Sequence, residues 1–189
     1  MRHLVALALL GLAAPAVAQD LPSSVVPGAL HFDERVLTTG LQNPWEVTWG
    51  PDNYLWVTER TAGRIVRINP ADGTRATAIQ IPEVVGPGSQ DGILGLALQP
   101  DLLKGNGHDW VFTAYTYIDR ARPPRETVAD PSSPYRHLFT RIVRLTYDAT
   151  TGNLGDPLTL IEGLPASTDH NSGRMKIGPD GKLYYTIAD

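Results

Sequence analysis

Short runs of alternating apolar and polar residues recur along the chain around the same turn. Val47 to Thr58 reads VTWGPDNYLWVT and Met175 to Thr186 reads MKIGPDGKLYYT. In each, an apolar strand meets a Gly-Pro-Asp turn and a second strand follows, the pattern of a tight hairpin between half-buried strands. Leu94 to Thr113, LGLALQPDLLKGNGHDWVFT, is a third copy that keeps Pro-Asp and lengthens the turn. Pro51, Pro100 and Pro179 mark equivalent positions, 49 and 79 residues apart. A second motif repeats in phase. Arg64-Ile65-Val66-Arg67-Ile68 precedes a turn at 69–73, and Arg141-Ile142-Val143-Arg144-Leu145 precedes a turn around 148–152. Its alternation is expected to set arginines on one face and aliphatics on the other. Further strands are expected over Thr77 to Ile81 and Leu158 to Ile161. Four short antiparallel strands in roughly 50 residues describe one blade of a β-propeller. No convincing amphipathic helix follows residue 18, so the fold class is all-β.

A propeller closes with at least about four blades. This chain supplies two nearly complete units and part of a third, so it is expected to cover about the first half of a longer propeller. The wider second spacing holds an insert, residues 118–137, rich in proline and arginine. It is expected to be a solvated, mobile excursion between strands, with a role in shaping substrate access as the second reading. The first 18 residues, MRHLVALALLGLAAPAVA, carry an early arginine, an apolar run from Leu4 to Leu12 and a small-x-small ending. That is the pattern of a secretory signal peptide, too short to span a bilayer, and it implies a periplasmic or secreted protein. The expected organisation is a leader over 1–18, an extension over 19–34 and a partial propeller over 35–189.

Composition narrows the function classes. Of 189 residues, 42% are hydrophobic and 19% charged, which suits a packed core, and the net charge of −4 argues against a nucleic-acid partner. Eighteen glycines and 16 prolines fit a turn-rich sheet protein and rule out a helical bundle. With no cysteine, disulfide frameworks, thiol nucleophiles and thiolate metal sites are excluded. The glycine-rich GPGSQDG at 86–92 lacks the lysine of a phosphate loop. Neither GxGxxG, GxSxG nor HExxH occurs, and the acidic turns at Asp72 and at Asp148 to Asp156 miss calcium-loop spacing.

Two loops carry candidate chemistry. Thr168-Asp169-His170-Asn171-Ser172-Gly173-Arg174 immediately precedes a blade strand, where propellers tend to present ligand-binding groups. An imidazole ordinarily titrates near neutrality, which suits His170 to general-base work. Asp169 does not orient that ring unless the backbone turns there, because neighbours in an extended chain point opposite ways. A polar loop that satisfies its own backbone is the competing reading. The equivalent loop of the preceding blade is Ser89-Gln90-Asp91-Gly92, where the Gln90 carboxamide can both donate to and accept from a hydroxyl-rich ligand. Matching loop positions predict that Gln90 and His170 converge on one rim. His31, His108 and His137 read as surface residues.

Three strings carry a family likeness: NPWEVTWGPDNYLWVTERTAGRIVRINPADG at 43–73, QDGILGLALQPD at 90–101 and LPASTDHNSGRMKIGPDGKLYYTIAD at 164–189. Over about 35–189 the chain resembles the soluble pyrroloquinoline quinone (PQQ)-dependent glucose dehydrogenases of the glucose/sorbosone dehydrogenase family. The resemblance implies a six-bladed propeller and PQQ-dependent oxidation of a glucose-like aldose to its lactone. It makes His170 the base that takes the anomeric proton, Gln90 and Asp169 sugar contacts, and the quinone the hydride acceptor. It also implies calcium and, at full length, a homodimer. The cofactor and calcium ligands of the family would lie beyond residue 189, and Ala188-Asp189 stands where the family commonly has Gly-Asp. Residues 1–189 alone are therefore expected to be inactive. A metal-dependent lactonase built around Glu83 and Asp169, or a non-catalytic binding propeller, are the alternatives.

Overall fold

The computed structural model describes residues 34–86 and 88–188. The leader expected over 1–18, and the extension over 19–34 except for Glu34, lie outside the described residues, as does His31. From Val36 onward the chain forms one compact unit.

That unit is built from antiparallel sheet. The first blade holds β1 (Pro44–Trp49), β2 (Leu55–Glu59), β3 (Arg64–Ile68) and β4 (Arg75–Gln80), hydrogen-bonded in chain order. The second holds β5 (Ile93–Leu98), β6 (Trp110–Ile118), β7 (Leu138–Asp148) and β8 (Asn153–Pro165), again in chain order. β9 (Met175–Ile177) and β10 (Leu183–Tyr185) pair as the hairpin that opens a third. β1, β5 and β9, the first strand of each blade, lie side by side. The architecture is a partial β-propeller, as the repeats predict.

The Gly-Pro-Asp turn has a physical reason for its aspartate. Gly50 N donates to Tyr54 O at 2.8 Å, closing the hairpin. Asp52 then accepts from Trp56 Nε1 at 3.0 Å, from Arg67 Nε at 2.8 Å and from Tyr147 Oη of the second blade at 3.3 Å. The Arg67 guanidinium, nearly buried, stacks 4.2 Å from the Tyr54 ring centroid and 5.2 Å from that of Tyr147. One carboxylate thus ties the turn, β3 and the next blade together. Asp180 repeats part of this, accepting from Tyr184 Oη at 3.0 Å.

The RIVR strands correct the expected division of faces. Side chains alternate along a strand, so arginines three residues apart fall on opposite faces. Ile65 packs in the main core between the blades, with Trp56, Ile93, Leu96, Tyr115 and Val143, while Val66 and Ile68 pack in a separate cluster with Val57, Leu37 and Leu41. The second copy behaves likewise: Val143 and Leu145 join the main core, and Ile142 packs with Met175 toward the third blade. The two RIVR strands are thus packed on both faces, so their sequence signal is apolar residues on both, with arginine stems filling the outer positions.

Glu59, at the end of β2, is fully buried. It accepts from Gln42 N at 2.7 Å and from Arg64 Nε. Burial opposes its ionisation, yet the Arg64 hydrogen bond, the Gln42 amide and the charges of Arg64 and Arg75 hold it below its ordinary value. A carboxylate whose folded pKa is depressed adds stability that is present above the unfolded value, about 4.3, and is lost as pH falls through the folded one. Glu59→Gln is therefore expected to destabilise the fold at neutral pH and to flatten the acid limb of its stability curve. Urea unfolding across that range measures both; an unchanged acid limb contradicts the assignment.

Candidate functional site

The loops entering β5 and β9 meet at one end of the blades. Ser89 N and Gln90 N donate to Thr168 O at 3.0 and 2.9 Å. In return His170 N donates to Gln90 Oε1 at 2.9 Å, and Asn171 Nδ2 donates to Gln90 O at 3.0 Å. Asn171 is buried and also closes its own loop, donating to Ser167 O at 2.6 Å and accepting from Ser167 N at 2.9 Å. The backbone does turn at the histidine: His170 has φ +55°, Ser172 φ +53° and Gly173 φ +85°. The left-handed region disfavours a side chain with a Cβ, so two non-glycine residues there are held by the surrounding bonds. At Gly173 only glycine fits, since a Cβ would come 2.7 Å from Leu94 Cβ.

A buried ion pair supports the 88–91 turn from below. Arg60 Nη1 donates to Gly88 O at 3.3 Å and to the carbonyl and carboxylate of Asp91, while Gly88 N donates to Asp91 Oδ1 at 2.7 Å. The Asp91 side chain is fully buried and its Oδ2 has no hydrogen-bond partner. Burial pushes this carboxyl above its ordinary value, against the pull of the Gly88 amide and the Arg60 charge. On the other side, Trp45 Nε1 of β1 donates to Ser172 O at 3.2 Å and Arg174 pairs with Glu46 at 2.9 Å. The 166–174 loop is therefore gripped by both preceding blades.

His170 and Gln90 converge as expected, but through the backbone. The Gln90 carboxamide oxygen is occupied by the His170 amide rather than open to a ligand. The His170 ring is exposed and makes no hydrogen bond to the described residues. It lines a cleft of about 240 Å³ whose walls are Pro165 to Ser167, Asn171, Ile187, Ala188 and Arg125. Asp169 does not line this cleft. It is exposed, and its carboxylate accepts from Ser167 Oγ at 3.4 Å rather than from the imidazole. Glu83 is held apart by Tyr115 Oη and Arg141, and no cluster of three His, Asp or Glu able to hold a metal ion occurs among the described residues. Of the remaining described histidines, His108 is exposed beside Asp101 and His137 Nδ1 lies 3.2 Å from Asp119 O.

Three contributors escape the sequence reading. Asn171 and Arg60 build the loops, yet a single polar residue in a loop and a single arginine after a strand carry no periodic signal. Arg125 comes from the insert. That segment is exposed over much of its length, as expected, but it is tied down: Asp119 N donates to His137 O at 2.9 Å and Arg125 N to Arg136 O at 2.7 Å, and a 3-10 turn spans Pro134–His137. No helix among the described residues is long and apolar enough to cross a membrane.

The comparisons with known proteins converge. Residues 41–189 match the family model described as glucose/sorbosone dehydrogenase. The chain is 43% identical over 162 residues to quinoprotein glucose dehydrogenase B of Acinetobacter calcoaceticus, covering 84% of this chain and 31% of that protein. It thus spans about a third of the length of that curated relative. The PQQ-bound aldose sugar dehydrogenase of Streptomyces coelicolor superposes with a TM-score of 0.61 at 31% identity, over 80% of this chain and 39% of the other. A glucose dehydrogenase-type oxidoreductase of Thermus thermophilus gives 0.57, also at 31% identity, over 78% and 37%. Two four-stranded blades, the loop pair that joins them to a third, and this agreement over 41–189 place the chain in the glucose/sorbosone dehydrogenase family.

Proposed function

We propose that this chain supplies the substrate side of a PQQ-dependent aldose dehydrogenase, with His170 as the general base. One observation carries the reading: a loop fixed by both neighbouring blades presents an imidazole that bonds to nothing in the described chain and borders a cleft. Such a ring is free to take the proton of a sugar hydroxyl. PQQ, when bound, would supply the two-electron chemistry, accepting the hydride from the anomeric carbon. As the anomeric O–H gives its proton to the His170 imidazole, C1 loses its hydrogen with the bonding pair, the C1–O bond becomes a carbonyl, and the lactone leaves. Gln90 would contribute its carboxamide N–H groups, and Asp169, exposed beside the cleft rather than lining it, an acceptor for a hydroxyl that extends past the cleft edge.

The described residues fit the sugar half of such a site better than the cofactor half. No metal-binding cluster occurs among them, and the cofactor and calcium ligands that the family resemblance implies would lie beyond residue 189. Export, calcium dependence and a homodimer belong to the same proposal for the longer protein.

The test is sugar-dependent dye reduction after reconstitution with PQQ and calcium. A protein carrying these residues at the length of its relatives is expected to turn over glucose; residues 1–189 alone are expected not to. Hydrolysis of a lactone in the absence of quinone would overturn the dehydrogenase reading in favour of a lactonase.

A further inference from the structure

Arg125 differs from the arginines that tie the blades together. Arg60, Arg64, Arg67, Arg122, Arg141 and Arg174 each pair with a carboxylate. The half-buried Arg125 side chain has no hydrogen bond or ion pair to any described residue. It borders two clefts at once. One, of about 240 Å³, holds the His170 ring; the other, of about 320 Å³, runs past Thr127, Tyr135 and Thr168. Ser167 and Ala166 are shared between them, so the two clefts flank one stretch of the catalytic loop.

The chemistry of the walls is one-sided. Arginine, imidazole, carboxamide and hydroxyl groups line the two clefts, and no carboxylate among the described residues does. In a chain of net charge −4 that is a local reversal of sign. Backbone bonds hold the arginine in place, since Arg125 N donates to Arg136 O and Arg125 O accepts from Val128 N. An uncompensated guanidinium in a partly enclosed cleft is a docking point for a carboxylate or phosphate, which it can bind through two parallel N–H donors. Pro165, Ala166, Ile187 and Ala188 offer the apolar contact that the C–H face of a sugar ring needs.

We propose that Arg125 binds the anionic group of the substrate, so that this site takes an acidic aldose, a uronic acid or an aldose phosphate, with its anomeric end at His170. The inference rests on the dehydrogenase reading above and deepens it. Arg125 sets specificity without touching the reacting atoms, and an insert outside the repeating blades would supply that specificity to a shared scaffold.

The experiment compares kcat/KM for glucuronate, glucose 6-phosphate and glucose at low ionic strength, in the reconstituted protein and its Arg125→Gln and Arg125→Lys variants. The ratio of acidic to neutral sugar is expected to fall about 10-fold or more in Arg125→Gln, the scale of a charge-assisted hydrogen bond, and to be partly restored by lysine. Added salt should erode the wild-type ratio. A loss confined to glucuronate or to the phosphate identifies which anion is read. An unchanged ratio overturns the proposal, whether all sugars weaken together or none does, and so does a matching loss of PQQ affinity by absorbance titration. Should no aldose be oxidised, the dehydrogenase reading fails on its own. A second readout then decides this one: glucuronate should shift the His170 ring resonances of the 189-residue chain, and not those of its Arg125→Gln variant. Equal shifts in both would sink it.

Discussion

Replacing His170 by alanine is expected to lower turnover about 10²- to 10⁴-fold, the contribution typical of a positioned base. The loss should fall on kcat with the melting temperature unchanged. The reason lies in how the loop is built. Its bonds to the preceding blades come from the His170 amide, the Asn171 carboxamide, Thr168 O, Ser172 O and the Arg174 guanidinium, none of which involves the imidazole. The ring is exposed and borders the cleft, so its removal leaves neither a buried cavity nor an orphaned partner. Steady-state kinetics on the reconstituted protein, with a thermal melt of the same sample, make the measurement. Wild-type kcat in the variant removes His170 from the mechanism.

The largest structural effect is expected at Gly95. A Cβ built there would sit 1.8 Å from the carbonyl oxygen of Gly173 and 3.3 Å from Met175 Cβ. The backbone angle of Gly95 is ordinary, so the obstacle is contact alone. β5 and the start of β9 approach so closely that neither can hold a methyl group between them, and the obstructing atom is backbone, which cannot rotate away. Gly95→Ala is expected to cost about 3 kcal/mol, the upper end of the usual cost of overpacking. It should also detach the segment that follows: Gly173 N donates to Thr186 O and Thr186 N to Arg174 O, so a shift at Gly173 propagates into the third hairpin. Hydrogen exchange should show protection lost over 173–187 before it is lost in the first blade. A variant as stable as the parent, with the same exchange pattern, contradicts this account of the junction.

The blades were legible because a hairpin leaves a local trace. Gly50-Pro51-Asp52 and Gly178-Pro179-Asp180 do the same work at both sites, closing a turn and capturing an aromatic polar group four residues on. β8 was less legible. It runs from Asn153 to Pro165, far beyond the four residues expected, because Gly155, Pro157 and Glu162 break the alternation while the ladder to β7 absorbs them in register shifts. The faces of the RIVR strands are not legible in the sequence, because the two arginines look one-sided although their three-residue spacing sets them on opposite faces and both sides are packed.

At the site, Gln90 and His170 could be paired in advance because they occupy one offset in successive units. The direction of Asp169 could not. It depends on left-handed angles at His170 and Ser172, which only the contacts with Gln90 and Trp45 impose. The insert could be marked as able to shape substrate access, but Arg125 could not be singled out within it, since an insert has no period against which one residue stands out.

The grip on the 166–174 loop also dictates an order of assembly during synthesis. Each blade pairs strands that are neighbours in the chain, so it can close as soon as its own residues leave the ribosome. The rim has no such independence. Gln90 must wait for Thr168 and His170, and Trp45, among the first strand residues made, must wait for Ser172. Until then the second blade exposes the flank of β5 on which Met175 will pack. The interval between translating β5 and β9 is thus when a nascent chain most needs protection from its neighbours. The insert lengthens that interval, a cost in folding time set against the arginine it delivers.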